Sequence, residues 1–187
     1  MAGNRPAIGL SVNTVQEATN LIAQRKVFRF TPTIPSASYG NGDVLFNPVE
    51  ITNAVLQEGG CSRLEYAVVI DNEDQSAAAF DLIFMQVSKD LGTVDGAVDI
   101  SLANLKLAKI LGHLHMDSDN NISDLVNAKL LTGPGTASGM AGNNSIFLQA
   151  EPGSTSVFVA GVARSAYNTT DGSAHSDHLE IILGIDY

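Results

Sequence analysis

The stretch Leu64–Val87, LEYAVVIDNEDQSAAAFDLIFMQV, carries the reading of the fold. Its first arm alternates Leu64, Tyr66, Val68 and Ile70 against Glu65, Ala67 and Val69. Its second arm sets Phe80, Leu82 and Phe84 against Ala79, Asp81, Ile83 and Met85. Between them, Asp71–Ser76 (DNEDQS) is polar at every position. Two period-two runs around a polar turn predict a β-hairpin. An antiparallel sheet usually keeps one face wet, so arms that are apolar on both faces demand two covers. A second sheet supplies one, and a helix or a neighbouring subunit supplies the other.

Working outward, Val27–Thr31 (VFRFT) alternates and is bounded by Pro32 and Pro35, which reads as a strand ending in a rigid connection. Gly40–Gly42 is a turn before a short strand, Asp43–Phe46, and Glu50–Leu56 is strand-like. Lys109–Met116 sets Ile110, Gly112, Leu114 and Met116 against Leu111, His113 and His115, a strand with histidines on one face. Ser145–Ala150 and Ser156–Arg164 flank Glu151–Thr155 (EPGST), which reads as a second hairpin. His178–Ile185 closes the series, for about eight strands in all. Ser101–Ala108 predicts one or two helical turns capped by Ser101, and Asn13–Gln24 predicts a helix capped by Asn13 with Val15, Ala18, Leu21 and Ile22 on one stripe. The expected fold class is all-β, an antiparallel two-sheet sandwich or jelly roll with one or two short helices. Residues 1–26 form an N-terminal arm or helix and 27–187 the β-sandwich domain.

Charged residues make up 16% of the 187, against about 25% in average globular domains. Twenty acidic against ten basic residues give a net charge of −10, which disfavours binding to a phosphate backbone. No run of apolar residues is long enough to cross a membrane as a helix, and Met1–Leu10 lacks the apolar core of a secretory signal. Cys61 is the sole cysteine, so an intrachain disulfide is impossible, and it reads as a small buried residue. Three Asn-x-Ser/Thr matches, at Asn121, Asn143 and Asn168, read as ordinary polar turns.

His113 and His115 are the metal candidates, because imidazoles two apart on a strand can reach one Zn²⁺, with His175, Asp177 or His178 as a third ligand. Histidines on a solvated or interfacial sheet face are the simpler expectation. Asp117–Asn121 alternates carboxylates and amides but lacks the glycine and terminal glutamate of a calcium loop, holding Ile122 and Ala128 there. Asp71, Glu73 and Asp74 gather negative charge at the hairpin tip, where solvation or pairing with a subunit neighbour is expected. Nucleophile-elbow, phosphate-loop and dinucleotide patterns are missing. The expectation is therefore no enzyme, no catalytic residue, no cofactor and no bound metal.

The runs VFRFTPTIP, GDVLFNPVEITNAV, AAAFDLIFMQ and STSVFVAGVAR resemble small accessory head proteins of tailed bacteriophages, the decoration or cement type. The resemblance covers Val27–Tyr187 and implies a homotrimer on the capsid exterior, assembled in the host cytoplasm, that locks adjacent subunits of the major capsid protein. Within that reading Leu64, Tyr66, Val68, Phe80, Leu82, Phe84, Asp71, Glu73 and Asp74 are the interface candidates. The alternatives are a phage tail or fibre component, or a carbohydrate- or metal-binding β-sandwich. The absence of tryptophan counts against the carbohydrate-binding option.

Overall fold

The computed structural model describes residues 25–73, 78–117, 122–125, 128–133, 146–169 and 178–187. The expected helix Asn13–Gln24, Asp74, His175, Asp177, Asn121 and the glycine-rich run 134–142 lie outside the described residues.

Among the described residues, twelve strands and one helix follow in order: β1 (Arg25–Phe30), β2 (Ser38–Tyr39), β3 (Val44–Ile51), β4 (Cys61–Asp71), β5 (Ala79–Met85), α1 (Leu102–Ala108), β6 (Ile110–Asp117), β7 (Ile122–Asp124), β8 (Lys129–Gly133), β9 (Ile146–Gln149), β10 (Val157–Ala163), β11 (Tyr167–Asn168) and β12 (Leu179–Asp186). The first sheet runs β1-β12-β4-β8-β7, with β9 also paired to β4; the second runs β3-β10-β5-β6. All of these pairings are antiparallel. The fold is an all-β sandwich with one short helix among the described residues, as the alternation predicts.

The pairing differs from the expectation at its centre. β4 and β5 do not form a hairpin: β4 lies between β12 and β8 in the first sheet, and β5 between β10 and β6 in the second. The polar run after Asp71 carries the chain from one layer to the other. It is too long to act as a tight two-residue turn, which is what forces adjacent arms to pair. The second expected hairpin fails in the same way. β9 pairs with β4, while β10 pairs with β3 and β5, so Glu151–Thr155 also crosses between sheets.

Between the layers lie Ala67 and Val69 of β4, Phe80, Leu82 and Phe84 of β5, Leu114 and Met116 of β6, and Ile181, Leu183 and Ile185 of β12. Leu64 is buried there too. Leu64, Phe80, Leu82 and Phe84 were interface candidates, but they face the interior of their own chain and have no surface to offer a partner.

The second sheet has a covered outer face as well. Val44, Met85, Ala160 and Val162 form a separate core with Leu91 and Ala108, flanked by Ile83, Val94, Ile100 and Phe158. The cover is the segment between β5 and α1, and backbone hydrogen bonds hold it down. Val44 N donates to Gly96 O (2.8 Å), Asp95 N to Val44 O (3.0 Å) and Val98 N to Gly42 O (3.1 Å). Asn47 completes the fastening: its Nδ2 donates to Gly92 O and its Oδ1 accepts from Leu91 N, both at 3.0 Å. Asn47 and Pro48 fall where the β3 register slips by one residue, between the pairs Phe46–Gly161 and Val49–Val159. A bulge on an edge strand tolerates proline and re-aims a side chain.

Candidate interaction surfaces

α1 forms as its sequence predicts. The Ser101 side chain accepts from Asn104 N at 3.2 Å, and Lys109, with φ of 50°, ends the helix in the left-handed region. Its packing is unusual, because the helix buries only Ala108. Leu102 is 66% exposed and Leu107 55%, with Leu105, Ile110 and Val98 also exposed. Leucines at 102, 105 and 107 point around most of a two-turn helix, so one supporting surface cannot cover them all. That spacing was the available sequence signal for this ridge, and counting helical turns alone missed it.

The outer face of the first sheet is the second apolar surface. Its rows follow from the register. Val27, Gly184 and Tyr66 form one row; Arg29, Ile182, Val68 and Thr132 the next; Glu180, Ile70 and Leu130 the third. Val68, Ile70, Leu130 and Ile182 are half-buried and belong to neither core. Val27 is 61% exposed and Tyr66 42%. The Tyr66 ring lies across Gly184, where an added Cβ would stand 2.1 Å from Cε1. Charges on this face are paired, Arg29 with Glu180 and Arg63 with Glu65 and Asp186. Of the apolar interface candidates, Tyr66 and Val68 are thus the two that reach the surface.

Asp71 and Glu73 stand in a buried corner and not on a solvated tip. Asp71 is fully buried. It accepts from Tyr167 Oη at 2.8 Å and from Glu73 N at 3.0 Å. Glu73 Oε1 meets His178 Nδ1, with both side chains almost wholly enclosed. Asn72 N donates to His178 O at 3.0 Å. Lys129, also buried, stands opposite Asp71 in the β4–β8 ladder. Burial, with the Asp71 carboxylate next in importance, pushes the Tyr167 phenol far above its ordinary range. The ring of Tyr167 packs edge-on against Phe80 of the second sheet, 5.0 Å between centroids. This network fastens the crossing from β4 to β5. A buried carboxylate needs such donors, so the acidic run reads as structure at Asp71 and Glu73.

His113 and His115 project outward from β6 as expected, while Leu114 and Met116 point inward. His115 Nδ1 lies 2.7 Å from Asp81 Oδ1, and Asp81 is also held by Arg164 Nε. Asp81 is buried with two partners, which explains a carboxylate in the middle of an apolar arm. His178, offered as a third ligand, is committed to Glu73 on the other sheet. Among the described residues no three His, Cys, Asp or Glu side chains gather as a metal site. Cys61 is exposed, not buried as the sequence suggested, because it stands at the solvent end of β4. No described helix is long and apolar enough to cross a membrane.

Comparison of the chain with protein-family models, with curated proteins and with solved structures gave no match.

Proposed function

We propose that this chain is a non-enzymatic structural protein of the virion decoration type, which works by binding other protein surfaces, its own copies and a major capsid protein among them. The observation that carries the reading is the α1 ridge. A capped helix that turns Leu102, Leu105 and Leu107 to solvent and buries only Ala108 gains little from its own fold. Exposed apolar ridges of this kind are characteristic of docking surfaces. A partner that binds only the assembled form stabilises that form by mass action. The resemblance of the strand-and-turn runs to phage accessory head proteins supplies the kind of partner.

The test has two arms. In sedimentation at micromolar concentration the full chain is expected to run as an oligomer, a trimer on the decoration reading. Leu102→Asp combined with Leu107→Asp is expected to give monomers with unchanged β-sheet circular dichroism. A monomeric parent chain, or an oligomer indifferent to both aspartates, overturns the assembly reading. In the second arm the protein is expected to co-purify with phage heads in fixed proportion to the major capsid protein. Co-purification with tails alone would favour the tail or fibre reading.

A further inference from the structure

We propose that copies of this chain join head to tail through α1, the Val98–Leu102 end of one ridge meeting the Lys106–Ile110 end of the next copy's. The inference rests on the reading of the α1 ridge as a docking surface and names what docks there. Charge selects the occupant. Residues 88–110 carry three lysines and three aspartates, a balance of zero in a chain of net charge −10. A net charge of that size opposes contact between copies, and a neutral apolar patch escapes the penalty. The charges are also sorted along the ridge. Val98, Asp99 and Leu102 stand exposed at its start, and Lys106, Leu107 and Ile110 stand exposed at its end. Asp99 and Lys106 form no ion pair among the described residues, whereas Lys109 is held by Glu151 at 2.7 Å. One end is acidic and apolar, the other basic and apolar, so each fits the opposite end of another copy.

Helix geometry separates a head-to-tail contact from a two-fold pair. Successive residues step about 100° around a helix, which sets Leu107 about 140° from Leu102 and about 160° from Leu105. Ala108, the one buried residue of α1, falls between the two flanks. Leu102 and Leu105 therefore form one apolar flank and Leu107 the other. A single packed neighbour covers a stripe roughly 100° wide, so one partner leaves a flank in water. A two-fold pair gives each helix one neighbour, because the same patch meets itself. Head-to-tail contacts give each helix two neighbours, one at either end, and both flanks are covered. Such contacts close into a ring when the rotation between copies permits.

The experiment uses the full chain and two sets of variants. In sedimentation, Asp99→Lys alone and Lys106→Asp alone are each expected to raise the concentration of half-dissociation about tenfold, because every contact then sets like charges together. Asp99→Lys with Lys106→Asp in one chain is expected to bring it back near the parent value, which a folding defect in either single variant would not allow. In the second set, Leu102→Cys with Leu107→Cys in a Cys61→Ser background is oxidised and run on a denaturing gel. Covalent species of three or more chains are expected. A product that stops at two chains assigns the ridge to a two-fold pair and overturns the proposal, as does a failure to cross-link. An oligomer that Leu102→Asp with Leu107→Asp dissolves, but that charge reversal leaves unmoved, overturns the head-to-tail contact and keeps the assembly reading. A monomeric parent chain overturns both.

Discussion

The two sheets carry strands of the same two-faced apolar pattern and solve the same problem differently. The second sheet closes its outer face with the segment between β5 and α1, so Met85, Ala160 and Val162 are as dry as the main interior. The first sheet leaves Val68, Ile70, Leu130 and Ile182 half-buried beside exposed Val27 and Tyr66. Both sheets use a glycine beneath an aromatic ring. Phe46 lies over Gly161 within the buried core, and Tyr66 lies over Gly184 on the outer face. The contrast shows that an apolar outer face states a need for cover without stating who supplies it. Among the described residues β1 is an edge strand of the first sheet, and the long charged side chains Arg25, Lys26 and Arg29 along it oppose strand addition.

The contrast predicts unequal responses to matched substitutions. Leu91→Ala removes the centre of the covered face and is expected to cost about 3 kcal/mol, whereas Ile182→Ala on the other face is expected to cost about 1 kcal/mol, both read from urea midpoints. Equal losses would mean that the first face is as dry as the second. Next in size, Gly161→Ala forces the buried Phe46 ring aside and is expected to cost about 2 kcal/mol. Gly184→Ala displaces only the exposed Tyr66 ring and is expected to stay within about 0.5 kcal/mol. Ser101→Ala deletes the α1 cap at about 1 kcal/mol, and thermal unfolding should register it as a small drop.

The last effect is silent at neutral pH and arises at the β2–β11 pair, outside the two large sheets. Burial, with Asp95 and Asp43 behind it, pushes the Tyr39 phenol up to about 12 from 10.0, and Tyr167 shifts in the same direction. Both phenols keep their protons more firmly when folded, so the unfolded chain ionises first as pH rises. The stability they contribute is complete below pH 10 and declines from there through pH 12. Denaturation midpoints are expected to fall over that window, and Tyr39→Phe should flatten part of the fall. An unchanged slope in the variant would show that Tyr39 is free to ionise in the native state.

Local physics made part of this legible. Outward His113 and His115, inward Leu114 and Met116, and the Ser101 cap all follow from side-chain period and from the first helical turn. Both expected hairpins failed for one reason. Alternation reports that a segment is a strand, and a polar run reports that the chain turns, yet neither reports which strand lies alongside. β4 meets β12 and β5 meets β10 across long separations in sequence. The acidic pair Asp71 and Glu73 misled for a related reason. Its buried partners Tyr167 and His178 come from distant segments, and nothing near Asp71 in sequence announces them.

The sequence by itself determined that this protein is a strand-rich sandwich with surplus apolar strand surface, because period and composition act within a few residues. Only the tertiary structure decided which surplus is hidden. It turned Leu64, Phe80, Leu82 and Phe84 inward, set Asp71 and Glu73 into a buried network, and left the α1 leucines and the Tyr66–Val68 face outward. Burial depends on what packs across a gap of about 10 Å between layers, and that is a property of the whole chain.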